Sequence, residues 1–219
     1  MGEPRGGVSL ARATRVIAFA VTMFMLAAAD ALAIPALTLD NVDGVPVGNP
    51  PFTLGWIFWT SHAIRVTGIG IFDGGQDGLV DSYAVGIWVN NGGTLIASGT
   101  VDSGTTDPLV NQFRYASISP VTLAPGVYHV GGLYLTSHDA LVWPFEAENF
   151  ATAPGITFLS AASSRQGGTL AIPGSTSSLP GYFGPNFEFT DPVPEPSTLL
   201  LIGSGLAGLA FRRCRRTPW

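Results

Sequence analysis

Short apolar and alternating stretches recur along the chain from residue 36 to residue 190, and Gly, Pro, Asn and Asp punctuate them. Strands joined by turns produce this pattern, whereas an amphipathic helix would place apolar residues three or four positions apart. The predicted strands are residues 36–41, 53–59, 65–72, 83–89, 94–101, 113–119, 126–136, 156–161, 169–172 and 186–190. The series predicts an all-β fold, an antiparallel sandwich or barrel.

Three details predict how these strands are placed. Residues 90–93 read Asn-Asn-Gly-Gly, and Asn-Gly supplies the positive φ angles of a type I′ turn, so the flanking strands should form a hairpin. In residues 126–136 both sets of alternating positions are largely apolar, which predicts an inner strand of a sheet. Trp56 alternates with Leu54 and Phe58, so we expect it to pack inward.

The N-terminal apolar run has a different character. Three arginines precede residues 16–29, which are apolar apart from Thr22, and Ala31-Leu32-Ala33 follows. A basic segment, an apolar segment and an Ala-x-Ala site in this order are typical of a secretory signal peptide. We therefore expect signal peptidase to remove residues 1–33, with Ala31 and Ala33 forming the cleavage site. An uncleaved signal anchor is the alternative.

The last apolar run, residues 199–211, contains no charged residue. As a helix it would rise about 20 Å, whereas the hydrocarbon core of a bilayer is about 30 Å thick, so flanking residues must complete the span. The basic tail 212–219 follows, with Arg212, Arg213, Arg215 and Arg216. Arginines stay in the cytoplasm, which predicts a single transmembrane helix with the β-rich domain outside. A buried core helix is the alternative.

A proline-rich linker, residues 191–198, precedes this run and contains Val193, Pro194, Glu195 and Pro196. Proline continues neither a helix nor a sheet ladder, so the linker should be extended and exposed. The Pro-Glu-Pro motif, the short apolar helix and the terminal Arg cluster resemble the PEP-CTERM sorting signal of bacterial exported proteins. The resemblance implies that an exosortase in the inner membrane recognises the signal, cleaves near Pro-Glu-Pro, and releases the protein to the cell surface or extracellular matrix.

The domain between the two terminal segments is acidic. Residues 34–194 contain twelve acidic and three basic residues, a formal charge of −9. Such a domain should repel nucleic acid and anionic membrane surfaces. The single cysteine, Cys214, lies in the tail, so we expect no disulfide in the exported part. Residues 34–190 are long enough to bury one adequate core, and we expect a single domain there.

A second resemblance rests on strand and turn segments of this domain. They are Phe52-Thr53-Leu54-Gly55-Trp56, Ile71-Phe72-Asp73, Asp77-Gly78-Leu79, Val85-Gly86-Ile87-Trp88, Val121-Thr122-Leu123-Ala124-Pro125-Gly126-Val127-Tyr128 and Gly184-Pro185-Asn186-Phe187. They are similar to an uncharacterised β-sandwich domain often found ahead of PEP-CTERM signals. The resemblance covers most of residues 36–190. It implies a jelly-roll-like antiparallel β-sandwich between the signal peptide and the transmembrane helix, with no established activity.

Three histidines, His62, His129 and His138, are the first candidates for enzymatic chemistry. No His-Glu-x-x-His or Gly-x-Ser-x-Gly motif accompanies them. Ser61-His62 and Ser137-His138-Asp139 place triad residue types side by side, but a triad requires a geometry rather than adjacency. We expect His129, which shares a strand face with apolar residues, to be a hydrogen-bonded residue of the core or its margin.

Two groups of acidic residues are further candidates. Glu146 and Glu148 would share one face of a strand, about 7 Å apart, within the range of a glycosidase carboxylate pair. A solvated acidic edge is the simpler interpretation. Asp73, Asp77 and Asp81 lie among glycines, and such carboxylates can bind Ca²⁺, although the spacing is not that of an EF-hand. A polar turn accounts for the same residues.

Aromatic side chains on a sandwich can stack against sugars, and Trp143, beside Pro144, is the best exposed candidate. Aromatic residues at strand positions are more often part of the core. We therefore expect a non-enzymatic structural or interaction protein without a cofactor, processed at the membrane by signal peptidase and exosortase. The alternatives are a carbohydrate-binding module, whose partner would be an exopolysaccharide, and a secreted hydrolase.

Overall fold

The computed structural model describes residues 32–40, 42–91, 93–143, 150–177, 181–191 and 203–205. From Ala33 on, they belong to one compact unit. The strands in these ranges are β1 (Ile34–Pro35), β2 (Leu37–Leu39), β3 (Val45–Pro46), β4 (Phe52–Thr60), β5 (Ile64–Phe72), β6 (Tyr83–Val89), β7 (Leu95–Val101), β8 (Leu109–Val110), β9 (Phe113–Leu123), β10 (Gly126–Tyr134), β11 (Ala140–Leu141), β12 (Phe150–Thr152), β13 (Ile156–Ser164), β14 (Ser175–Ser177) and β15 (Pro185–Thr190).

Two sheets contain most of these strands. One has the order β1-β15-β5-β9-β8, and the other has the order β14-β13-β4-β10-β6-β7. Two short ladders, β11-β3 and β12-β2, complete the pairings. All strand pairings of the described residues are antiparallel. The antiparallel β-sandwich predicted from the sequence is therefore confirmed.

One hydrophobic core joins the inner faces of the two sheets, and aromatic rings form its centre. Trp56 of β4 is fully buried, and its ring stacks on Phe187 of β15 with 6.0 Å between the ring centroids. The Trp56 indole N–H donates a 2.9 Å hydrogen bond to the carbonyl oxygen of Pro185. The prediction that Trp56 packs inward is confirmed.

The other local predictions had mixed outcomes. β6 and β7 form the predicted hairpin, but Asn91 has no positive φ angle, so the predicted type I′ turn is wrong. β10 lies between β4 and β6, so it is the inner strand that its two apolar faces predicted. The predicted strand at 169–172 is wrong, since this segment is irregular and the strand of that region is β14. The reason is that Ala171 N–H bonds to the Thr53 hydroxyl, 3.3 Å away, instead of joining a ladder.

The end of the chain is described over a short segment. Residues 203–205 are helical. Among the residues whose placement is described, no helix has both the length and the apolar character that crossing a membrane requires.

Candidate functional site

A buried ion pair organises the acidic loop that follows β5. The Arg114 Nε–H donates to Asp73 Oδ2 across 2.7 Å, and both side chains are almost fully buried. The rest of the guanidinium donates to three backbone carbonyls, those of Asp107 at 3.1 Å, Gln76 at 3.3 Å and Thr105 at 3.4 Å. Arg114 of β9 therefore holds two loops together, and Asp73 is its charge partner.

Asp81 has different partners at the other end of the same loop. Its Oδ2 accepts hydrogen bonds from the Thr136 hydroxyl and from Nδ1 of His138, the latter at 2.9 Å. The hydrogen bond from Thr136 and, after it, the interaction with His138 lower the pKa of Asp81, although partial burial opposes them. The carboxylate is thus the favoured form of Asp81.

Asp139 is a structural acceptor rather than a partner of His138. It accepts hydrogen bonds from the backbone N–H groups of Val80 and Asp81, each at 3.0 Å, and from the Tyr83 hydroxyl at 2.8 Å. Burial and the hydrogen bond to Asp139 raise the pKa of Tyr83. Ser137-His138-Asp139 therefore forms no triad, because His138 and Asp139 bond to different groups.

The calcium candidates are not gathered into one site. Asp73 pairs with Arg114, and Asp81 pairs with Thr136 and His138. In the described part of the chain, no group of three or more His, Cys, Asp or Glu side chains could hold a metal ion. The segment that contains Asp73, Asp77 and Asp81 lies between β5 and β6 and consists mainly of turns and bends.

The turn between β4 and β5 does bring together a serine, a histidine and a carboxylate. Ser61 Oγ lies 3.1 Å from Nδ1 of His62, and Asp191 Oδ1 lies 2.8 Å from Nε2 of the same ring. This is the order of nucleophile, base and orienting acid. However, the side chains of His62 and Asp191 are 44% and 69% exposed, and a hydrogen bond between groups that water can reach contributes little net stability.

The sequence could not have indicated Asp191 as the partner of His62, since 129 positions separate them. The contact depends on the antiparallel pairing of β15 with β5, which places Thr190 opposite Arg65. This pairing brings the end of β15 to the beginning of β5. The residue types Ser61 and His62 were visible in the sequence, but their third member was not.

His129 of β10 is a buried, hydrogen-bonded residue, as the sequence predicted. Its Nδ1 donates to the Pro173 carbonyl oxygen at 2.9 Å, and its Nε2 lies 2.8 Å from the side-chain oxygen of Asn90. A carbonyl oxygen only accepts hydrogen bonds, so the neutral ring carries its proton on Nδ1. Nε2 is then an acceptor and needs a donor. The Asn90 side chain provides one when its amide group is flipped, which places the NH₂ group at the position of the oxygen. Burial lowers the pKa of His129, which favours this neutral form.

We expect His129 to make folding sensitive to mild acid. Its pKa is lower in the folded protein, so the unfolded chain binds a proton first as the pH falls through about 6.5. The free energy of unfolding should therefore decrease between pH 7 and pH 5.5. Urea denaturation at each pH would measure this slope, and His129→Gln should reduce it. If the free energy of unfolding had the same pH dependence in the variant and in the parent protein, the prediction would be contradicted.

Trp143 is less exposed than expected. It is partly buried against the core, and its ring meets Tyr182 edge-on with 5.2 Å between centroids. The reason is the β-bridge between Val142 and Phe183, because Trp143 follows Val142 and Tyr182 precedes Phe183 in the sequence. Trp59 is the more exposed tryptophan, at 41%. The prediction of Trp143 as the best exposed candidate is therefore wrong.

Several predicted residues lie outside the described ranges. They are Ala31 of the cleavage site, Glu146 and Glu148, the motif residues Val193, Pro194, Glu195 and Pro196, and Arg212, Arg213, Arg215 and Arg216. Ala33, the other cleavage-site residue, is exposed and directly precedes β1.

Comparison with known proteins identifies the C-terminal segment. Residues 192–216 match the family model of the PEP-CTERM protein-sorting motif. The match includes the Pro-Glu-Pro residues, the apolar run and the arginine cluster, so the resemblance found in the sequence is confirmed. Neither the curated proteins nor the solved structures include a match to this chain.

Proposed function

We propose that this chain, a protein with a PEP-CTERM sorting signal, is a non-enzymatic structural or interaction protein of the cell envelope or extracellular matrix. The motif implies that the protein is exported, anchored in the membrane before processing, and processed by an exosortase. Beyond what the motif implies, we propose the final destination of the protein and the structural role of its β-sandwich.

One observation carries this proposal: all the strands of the described residues precede the sorting motif. The last strand, β15, ends at Thr190, and the motif match starts at residue 192. Cleavage within the motif would therefore remove no strand of either sheet. A body that keeps all its strands after cleavage can persist as a folded protein at its destination.

The environments of three buried polar groups support a structural role. The Asp73 carboxylate accepts a hydrogen bond from Arg114. The Asp139 carboxylate accepts hydrogen bonds from Tyr83 and from a backbone N–H group. His129 is enclosed between a carbonyl group and Asn90. These groups hold loops and strands in place. The Ser61–His62–Asp191 and His138–Asp81 arrangements are more exposed, so they lie in solvent rather than in a low-dielectric site where such groups act strongly.

Carbohydrate binding is the second candidate function, and the exposure of Trp59 is the observation that favours it. Trp59 lies on β4 next to Val127 of β10 and Thr157 of β13, so part of its ring faces solvent beside small side chains. Aromatic faces of this kind can stack on sugars. Trp143 supports this function less, because Tyr182 covers part of it.

The test of the proposed function follows the two termini of the protein in the host bacterium. We expect the parent chain to appear in the extracellular or envelope fraction with its N-terminus near Ile34 and its C-terminus near Pro-Glu-Pro. Replacement of Pro194, Glu195 and Pro196 by alanine should stop the second cleavage, so that the uncleaved chain accumulates in the membrane fraction. Immunoblots of cell fractions and mass spectrometry of the termini would measure this.

The matched control is Arg65→Ala, which removes an exposed charge from the sandwich and should leave processing unchanged. Deletion of the host's exosortase should reproduce the effect of the alanine variant. Full-length protein in the cytosol, or unchanged processing of the alanine variant, would refute the proposal.

A further inference from the structure

The edges of the two large sheets differ in length. Among the described strands, β1 and β8 have two residues each, β14 has three, and β7 has seven. An edge strand presents unpaired N–H and C=O groups that can pair with another chain, and proteins commonly keep such strands short or protect them with charges, Pro or bulges. β7 is therefore the longest of the four strands that end the two large sheets, and among these four it offers the longest edge to an additional strand.

Most of β7 lacks these protective features. Leu95–Val101 contains neither a charged residue nor a proline. Its one irregularity lies at the N-terminal end, opposite Ile87 and Trp88, and residues 97–101 beyond it pair regularly with β6. These five residues form a regularly paired stretch of the edge strand, to which a further strand can be added.

The side chains of residues 97–101 alternate in a way that suits pairing with a second copy. Ala97 and Val101 are buried, while Ser98 and Thr100 are exposed. Gly99 is at the centre, and a Cβ there would lie 2.9 Å from Ile69 and 3.0 Å from Ile118. The segment thus has its apolar residues on the core side, its hydroxyl groups on the outer side and its smallest residue in the middle.

We propose that β7 is a self-association site, at which it pairs antiparallel with β7 of a second copy around a two-fold axis at Gly99. In this register Ala97 lies opposite Val101 of the second copy, and Ser98 lies opposite its Thr100. Apolar side chains meet apolar ones, and hydroxyl groups meet hydroxyl groups across the strands. The interface uses the same surface of both copies, as two-fold symmetry requires.

Local charge does not prevent a second copy from pairing at this edge. The domain carries a formal charge of −9 over residues 34–194, so most approaches between two copies are repulsive. The nearest charged residue along β7 is Asp102. In the proposed register the two Asp102 residues are six positions apart along the ladder, about 20 Å, which exceeds the Debye length of about 8 Å at physiological ionic strength.

Cysteine cross-linking tests the register. The chain carries Cys214→Ser and is purified in mild detergent from the host strain that lacks the exosortase, so that the sorting motif is retained. A mixture of Ser98→Cys and Thr100→Cys proteins should form disulfide-linked dimers on mild oxidation, because directly opposite Cβ atoms lie about 4.5–5.5 Å apart. Either variant alone should cross-link far less, since diagonal positions are about 7–8 Å apart, beyond the reach of a disulfide. Equal cross-linking of the single variants would overturn this register.

A charge variant tests the edge itself. Thr100→Lys should convert the dimer to monomer, since a lysine on an edge strand blocks pairing, and sedimentation of the detergent-purified chain would measure the mass. Thr157→Lys is the matched control, an exposed threonine on β13 of the same sheet, and should leave the dimer intact. A parent chain that is monomeric at its highest concentration, or a dimer that resists Thr100→Lys, would overturn the proposal.

Discussion

Arg114→Met is expected to destabilise the protein by about 3–5 kcal/mol, because removal of one member of a buried ion pair leaves an uncompensated charge. Asp73, at 4% exposure, would keep its carboxylate in the protein interior without the guanidinium 2.7 Å away. The carbonyl groups of Thr105, Gln76 and Asp107 would lose their shared donor as well. Thermal denaturation should show a decrease in Tm of roughly 6–20 °C for a chain of this size.

Two further variants separate charge from side-chain volume. Arg65→Met removes an exposed arginine from the neighbouring strand β5, and surface changes of this kind usually alter stability by less than about 0.5 kcal/mol. Adding Asp73→Asn to Arg114→Met should restore part of the lost stability, since a neutral amide replaces the unpaired charge. Equal effects of Arg114→Met and Arg65→Met would show that the ion pair is not a major determinant of stability.

Trp56→Ala is the second large expected effect, at about 3–5 kcal/mol. The side chain is fully buried and contacts Phe58, Phe158, Phe183 and Phe187. Its removal would leave a cavity where the two sheets meet, and the carbonyl oxygen of Pro185 would lose its indole donor. Urea denaturation followed by far-UV circular dichroism would measure the change without depending on tryptophan fluorescence.

Trp59→Ala is the matched control for Trp56→Ala. It deletes the same side chain from the same strand, but Trp59 is 41% exposed and faces away from the core. We expect a loss below about 1 kcal/mol, since a partly exposed residue leaves little cavity. Similar losses for the two variants would contradict the arrangement of the core.

Core packing and the buried ion pair matter because the sandwich has no covalent cross-link. The sole cysteine of the chain, Cys214, lies within the sorting motif. Many exported domains gain about 2–4 kcal/mol from each disulfide. This domain must be stabilised by apolar burial and by paired polar groups such as Asp73 with Arg114. Variants that disrupt the apolar core or the Asp73–Arg114 pair should therefore lower the amount of exported protein.

Local patterns in the sequence predicted the longer strands, for a physical reason, whereas the short strands β1, β3, β8, β11, β12 and β14 lie outside every predicted range. Alternation reflects the two faces of a strand, and Asn-Gly favours one type of turn, so both signals lie within a few residues. β4, β5, β6 and β10, and the β6–β7 hairpin, follow these patterns. The segment 169–172 departs from them, because Thr53 supplies a hydrogen bond that competes with a ladder.

The candidate site was less predictable, because its contacts join distant parts of the chain. Asp73 appeared to be a turn residue or a calcium candidate, and its partner Arg114 is 41 positions away. Asp139 follows His138 directly, yet the two bond to different groups. Partners of this kind depend on which strands lie side by side, and the sequence of one chain carries little information about that order.

The sequence by itself determined the β class of the fold, the acidity of the domain and the sorting signal at residues 192–216. These properties depend on composition, on short-range periodicity and on the order of neighbouring residues. The tertiary structure alone decided the pairing of Asp73 with Arg114 and of His62 with Asp191, the partial burial of Trp143, and the position of β7 at an edge. Sheet order decides these contacts, because it brings together residues that are far apart along the chain.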